Sequence, residues 1–534
     1  MTKPTHSARE IAAAVTAGRM TAVDTAKAAL GRIDAAKALN AVVTTDPART
    51  LADAAAVDDR LRAGKTMPLA GVPILVKDNI WASGWRITQG SRLFADFIAP
   101  QDAIAIERLR KAGAVIVGIG ATSEFASKGV TTSPLFGPTR HPLDPALTPG
   151  GSSGGPATAV AAGLVPLAIG TDAGGSSRRP PAHVGVAGFK PSYGAIPYGP
   201  GFAEPFFGLS VIAPIAADVA DIALAFEAMA GADPRDPDAA GIAQEAEDIA
   251  GLRIAFSPRL GLDVAVDDVV ANGLVSAVAR LSAAGLSIAL RDPTWPAGAT
   301  EEALMPLQHA GLAALHGDAF RKDPTVFDPD IARQIERGLS WSGADVAGAL
   351  VASAAIANAF AAFFAEVDLL LTPTVPCVAW PFTQLGPDMI GGRAASPRAH
   401  AVFTPFVNHA PPAGDFTSLR HRRPRASVRS PDHRPARPGP HAAARRATYR
   451  GAVAGVTLRD RDDFGIVAIY PCFARRVKSR RCLRKPLIPL SPGTVHGVVF
   501  ALFVLSGVLA GERQTQPPPA DGDAGDGEHQ SERA

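Results

Sequence analysis

TPGGSSGGPATAV, residues 148 to 160, and LVPLAIGTDAGGSSRRP, residues 164 to 180, set two Gly/Ser clusters on either side of a short apolar run. Gly150 to Gly155 are only Gly or Ser. Three readings compete for them: a slack linker, a turn exposing a nucleophilic serine, or one part of a larger site. A linker is disfavoured, because apolar, strand-like LVPLAIG follows within ten residues. Gly151 to Gly155 fit Gly-x-Ser-x-Gly, which would centre a nucleophile elbow on Ser153. That elbow needs a strand directly before it, and LDPALTPG carries two prolines and no strand pattern. In the second cluster, Ala173 to Ser176 follow the strand around Leu167 to Ile169. A turn of small residues there can aim several backbone N–H groups at one point, a nest for a developing oxyanion, with Ser176 placed to attack.

The surrounding chain reads as an α/β protein. Ser7, three residues before Glu10, predicts a capping box opening a helix, and a second helix follows from Thr21 to about Ala36. Val72 to Val76 form a buried strand whose end delivers Lys77. An amphipathic helix runs from after Asp102 to about Ala112, and the strand AVIVGI succeeds it. The alternation recurs as LRIAF, a helix from about Val266 to Ala284, LSIAL and DLLLTPT. Such alternation predicts helices covering a largely parallel or mixed sheet.

Composition supports a folded chain. With 534 residues, 47% hydrophobic and 19% charged, there is ample material for a core, and a net charge of +3 gives no global sign of nucleic acid. Cys377, Cys472 and Cys482 provide neither a disulfide framework nor a paired-cysteine zinc site. The polar N-terminus MTKPTHSARE lacks the apolar core of a secretion signal, so the expected location is the cytoplasm.

The character of the chain changes near residue 411. From Pro411 to Arg450 there are ten arginines, no lysine and only two acidic residues. A disordered basic tail and an arm for an acidic surface are two readings. A third is out-of-frame translation of GC-rich DNA after about Ala410. With permissible codons, the second frame of Gly414 to Leu419 reads Ala-Ile-Ser-Leu-Ala, and that of Ser430 to His433 reads Leu-Gln-Ile-Ile. Further on, the apolar segment 497–511 is short of the roughly 20 residues that cross a bilayer, so a membrane is not favoured as a partner.

Four segments carry a family resemblance: GVPILVKDN, SEFASKG, PGGSSGGPATAVAAGLVPLAIGTDAGGSSRRP and GVAGFKPSYG. In this order, and with 24 residues from Ser152 to Ser176, the chain resembles the amidase signature family of serine hydrolases from roughly residue 5 to residue 410. The resemblance implies a central mixed β-sheet covered on both faces by helices, with residues 1–410 as the catalytic domain. It leaves 411–534 as an atypical region in which the final strands of that sheet are disrupted. It further implies Ser176 as nucleophile, Lys77 as base and Ser152, on a cis Gly151–Ser152 bond, as the bridge between them. The N–H groups of Ala173, Gly174, Gly175 and Ser176 would form the oxyanion hole, with Asp172 and Arg178 paired to hold the loop. The activity implied is hydrolysis of a small carboxylic amide, aryl or indolyl amides included, to carboxylate and ammonia through an acyl-enzyme, without metal or organic cofactor. A homodimer is left open.

The chemistry needs a neutral lysine. A free lysine, with a pKa of about 10.4, is charged at neutral pH and must shift by roughly three units to take a proton from serine. Burial at the end of an apolar strand supplies that shift. His141 and His183 are the alternative bases of a Ser-His system, disfavoured because Lys77 fills the role. Three residues depart from the family: Ser177 where isoleucine is usual, the bulky charged Arg179, and Pro156 in a first helical turn; the first two are expected to reshape the acyl pocket. Segments around 125–135, 200–210 and 300–320 are expected to line it. The glutaminase component of a tRNA-dependent amidotransferase, its A chain, is the alternative within the family. Such proteins usually carry a Ser-Ser-Leu-Asp-Gln-like run where this chain has Phe207-Gly208-Leu209-Ser210-Val211. An inactive or membrane-anchored interaction protein is the alternative outside enzymes.

Overall fold

The structure is a computed structural model that describes residues 6–239 and 251–410 and the short strand segments 465–466, 468–471 and 504–505. The Arg/Pro-rich stretch from 411, Cys472, Cys482 and the segment 497–511 apart from 504–505 lie outside the described residues. Within them, Ser7 and Glu10 form the expected capping box of α1 (Ala8–Thr16): Glu10 N donates to Ser7 Oγ at 3.2 Å and Ser7 N to Glu10 Oε2 at 2.8 Å.

Six strands build the central sheet: β1 (Val42–Thr44), β2 (Pro73–Lys77), β3 (Val115–Gly120), β4 (Leu167–Asp172), β5 (Ala187–Gly188) and β6 (Val211–Ala216), in the order β1-β3-β2-β4-β6-β5. β2 runs parallel to β3 and β4, whereas β1 with β3, β4 with β6 and β5 with β6 are antiparallel, so the sheet is mixed as expected. β2 and β4 read as continuous apolar runs because both faces are covered. Ile74, Val76, Leu167 and Ile169 face a core shared with α1, α4 (Ile104–Lys111) and α7 (Val219–Met229). Leu75, Val117 and Ala168 point the other way, among residues of α2 (Ala22–Ala35) and α5 (Gly154–Ala161).

A second sheet holds β7 (Ile254–Phe256), β8 (Ile288–Leu290), β9 (Leu369–Thr372) and β10 (Ala468–Pro471), in the order β8-β7-β9-β10. β7 is parallel to β8 and β9, and β10 lies antiparallel to β9. Around it run α8 (Asp268–Ala283), α9 (Glu301–Lys322), α10 (Pro329–Ser340), α11 (Gly343–Phe364) and the short α12 (Thr404–Asn408). By length and composition α11 could cross a membrane, but its Ile356, Phe360, Phe363 and Phe364 pack with Leu304, Leu370 and Phe406 in a protein core.

The topology positions the site. Register pairs Val76 of β2 with Ile169 of β4, so Lys77 and the pair Thr171-Asp172 leave the sheet side by side at its carboxyl edge. That edge is where parallel strands of open sheets present their ligand-binding loops.

Candidate active site

Lys77 is fully buried at the end of β2. Its Nζ donates to Ser152 Oγ at 2.8 Å and to Thr171 Oγ1 at 2.9 Å, and Thr171 Oγ1 also accepts from Asn79 Nδ2 at 3.0 Å. Burial lowers its pKa to about 7, opposed in part by the negative charge of Asp172. The amine is therefore poised near neutrality without any acidic group in hydrogen-bond contact.

The Gly151–Ser152 peptide is cis. The chain is close-packed here: a Cβ on Gly151 would lie 2.8 Å from Lys128 O. Ser153, the centre of the elbow pattern, begins α5 instead of following a strand. Its Oγ donates to Thr171 O at 3.2 Å, and its N–H donates to Ser176 O at 3.3 Å, tying the two Gly/Ser clusters together. Ser152 and Ser176 line one cleft, although no hydrogen bond joins their hydroxyls among the described residues.

After β4 the chain folds over the carboxylate of Asp172. Arg178 grips it with two bonds, Nε to Oδ2 at 2.9 Å and Nη2 to Oδ1 at 2.8 Å, and both residues are fully buried. Burial alone would raise the Asp172 pKa, but the Arg178 charge and the bonds from Arg178 and Asn408 outweigh it and hold the carboxyl well below the usual range. Gly175 N donates to Asp172 Oδ1 at 2.8 Å and Ser177 N to Oδ2 at 3.1 Å. This changes one expectation: the Gly175 amide serves the carboxylate and not a common anion point. Among the described residues the amides of Ala173, Gly174 and Ser176 have no such partner. Gly175 has φ 116° and a Cβ there would stand 2.2 Å from Thr404 Oγ1, so the turn needs glycine.

Two side chains of α12 that the sequence did not single out complete the loop. Asn408 Nδ2 donates to Asp172 Oδ1 at 2.9 Å, and Thr404 Oγ1 donates to Gly174 O at 2.8 Å. Both lie more than 200 residues from their partners, and no local pattern pointed to them. Thr171 and Asn79 were also missed, though Asn79 ends the GVPILVKDN stretch.

Two clefts meet at Ser176. One, lined by Asn79, Ser152, Thr171 and the aromatic Phe125, Tyr198 and Phe202, lies on the Lys77 side. The other is lined by Lys128, Arg179, Glu301, Gln308 and Arg398. Segments 126–129, 202–210 and 301–308 contribute as expected, while the wall from Arg398 to His409 was not foreseen. Ser177 does not join either wall; its hydroxyl donates to Asp172 Oδ2 at 3.1 Å, whereas Arg179 does reach the cavity.

His141 and His183 stand apart from both clefts. His141 Nε2 bonds to His183 O at 2.9 Å, while His183 packs edge-on against Trp380 with its pKa pushed down to about 3 by burial. Cys377 is buried and free.

A model of the amidase family matches residues 24–418. The A chain of the glutamyl-tRNA(Gln) amidotransferase of Deinococcus deserti is 36% identical over 400 residues, covering 70% of this chain and 82% of its own. A bacterial aryl acylamidase of the amidase signature family superposes with a TM-score of 0.70 at 25% identity, over 76% of this chain and 88% of that one. A chain from a vestigial complex bearing on the origins of an s-triazine catabolic enzyme superposes with a TM-score of 0.68 at 30% identity, over 76% and 89%. By the family match and by this shared fold, the chain belongs to the amidase signature family.

Proposed function

We propose that the protein is an amidase that hydrolyses a small carboxylic amide to carboxylate and ammonia through an acyl-enzyme on Ser176. The observation that carries this reading is the 2.8 Å bond between buried Lys77 and Ser152, beside a cleft that Ser176 also lines. Neutral Lys77 takes a proton from Ser152, which takes one from Ser176 as Ser176 Oγ attacks the carbonyl. The missing bond between the two serines forms when a substrate turns Ser176 toward Ser152, as apo sites commonly leave such contacts open. Ala173, Gly174 and Ser176 offer their N–H groups to the oxyanion, and Asp172 with Arg178 keeps that loop in place. The relay run backwards protonates the departing amine, and water then releases the acid. The expected location is the cytoplasm, which cell fractionation tests.

A fluorophosphonate probe followed by mass spectrometry tests the assignment. Labelling at Ser176 that disappears in Lys77→Ala is the expected result; labelling at Ser153 overturns it.

The name of the Deinococcus relative supports a second reading, a glutaminase component that passes ammonia to a partner. Glutamine hydrolysis that rises when the other amidotransferase components are added would favour it. For an inactive, membrane-held protein, the segment 497–511 lies almost wholly outside the described residues; recovery in the membrane fraction without acyl-hydrolase activity would favour that reading.

A further inference from the structure

Asn79 carries an unpartnered acceptor beside the relay. It stands just past the end of β2, its N–H donating to Lys77 O at 2.8 Å in a tight turn. Its Nδ2 donates to Thr171 Oγ1 at 3.0 Å, the same oxygen that takes a bond from Lys77 Nζ at 2.9 Å. The side-chain amide is thereby fixed with its nitrogen toward Thr171. Its Oδ1, shut off from solvent, has no hydrogen-bond partner among the described residues. An acceptor left in that state is costly, and a ligand that brings a donor to it removes the cost.

The cleft says which donor that is. Ser152 Oγ lies one hydrogen bond from Lys77 Nζ on one side, and Asn79 is reached from the same amine through Thr171 on the other. Asn79, Ser152 and Thr171 all line the aromatic cleft, together with Ser176. Ser152, which returns the proton to the departing nitrogen, lines this cleft and not the charged one, so the leaving nitrogen belongs here beside its proton donor. That nitrogen has one lone pair in the tetrahedral intermediate, and the pair must face Ser152 to be protonated. Any N–H on it then faces elsewhere in the same cleft, where Asn79 Oδ1 is the open acceptor.

We propose that Asn79 Oδ1 accepts the N–H of the leaving nitrogen, which turns the lone pair toward Ser152 and selects primary and secondary amides over tertiary amides and esters. This rests on the amidase reading above. The proton balance of the relay is unchanged: the N–H stays on nitrogen, and the proton that frees the amine still comes from Ser152. An ester oxygen sets a lone pair against Oδ1 and a tertiary amide sets a carbon there, and a site built for a hydrogen bond rejects an analogue that cannot make it.

The test uses the full chain with the primary amide, N-ethyl amide, N,N-dimethyl amide and methyl ester of butyric, benzoic and indole-3-acetic acids. Asn79→Ala is expected to lower kcat/KM for the primary and N-ethyl amides about 30-fold, mostly in kcat, while the esters change by less than about threefold. A merely structural role, acting through Thr171 and Lys77, would lower amides and esters together, and that result overturns the proposal. Should the variant fail to fold, the wild type decides: N-ethyl amides are expected to exceed N,N-dimethyl amides, which have as many carbons on nitrogen, by at least about 30-fold in kcat/KM. Equal turnover of the two overturns it. Fluorophosphonate labelling of Ser176 with no amide turned over would sink this inference alone. Turnover of neither amides nor esters, with Ser176 unlabelled, would sink the amidase reading and this inference with it.

Discussion

Lys77 carries the largest electrostatic cost of any group in the relay, and it is paid where the chemistry needs it. Its folded-state pKa of about 7 lies below the ordinary 10.5, so the unfolded chain holds the extra proton between these values. Stability from this residue therefore rises with pH across roughly 7 to 10.5 and is least favourable below 7. Lys77→Met removes the buried charge but also two hydrogen bonds, for a net gain on the order of 1–3 kcal/mol at pH 6 that shrinks toward zero near pH 10. Urea unfolding at the two pH values measures it. The same substitution should lower kcat/KM about 10³-fold. In the wild type kcat/KM should climb about tenfold per pH unit below pH 7 and level off above it, because the neutral amine is the working form. A profile that falls across pH 6 to 8 would exclude Lys77 as base.

At the scale of elements, the oxyanion loop is a turn wrapped on one carboxylate. Asp172→Asn would remove the buried carboxylate that Arg178 grips with two bonds, at a cost of about 3–5 kcal/mol. Asn408→Ala removes bonds to charged partners and should cost about 1.5–3 kcal/mol. Thermal melting checks both, and an Asn408→Ala protein as stable as the wild type would mean that α12 is not the clamp. These elements also show what the sequence could reveal. β2 and β4 were legible because continuous apolar runs ending in Lys77 and Thr171-Asp172 admit few other readings, and the resemblance to the amidase signature family named the serines. Asn408 and Thr404 were hidden, since their partners are set by tertiary contact and not by local pattern. Helices α9 and α11 left no amphipathic stripe, one because Pro306 and buried glycines interrupt it, the other because alanine dominates it.

At the scale of the whole molecule, the relay and the charged wall of the cleft are carried by different sheets, joined where α12 clamps the Asp172 loop. Lys77, Ser152 and Ser176 depend on the central sheet, while Glu301 and Arg398 reach the cavity from elements around the second. That second sheet is completed at β9 by β10, drawn from beyond the point where composition changes. The family match itself ends at residue 418. Unmet strand edges expose a row of backbone groups that template aggregation. A chain read out of frame after about Ala410 would have lost its intended edge partners while keeping every proposed catalytic residue. Resequencing is therefore expected to find a missing or extra base near codon 410. The frame-restored product should melt about 5 °C or more above the present chain and resist aggregation, as several kcal/mol of regained packing would require. An intact frame would refute this, as would equal melting of the two products. In either case labelling of Ser176 should proceed wherever the central sheet is folded with α12 docked on the Asp172 loop, because the relay draws its geometry from β2, β4, the turn before α5 and that clamp.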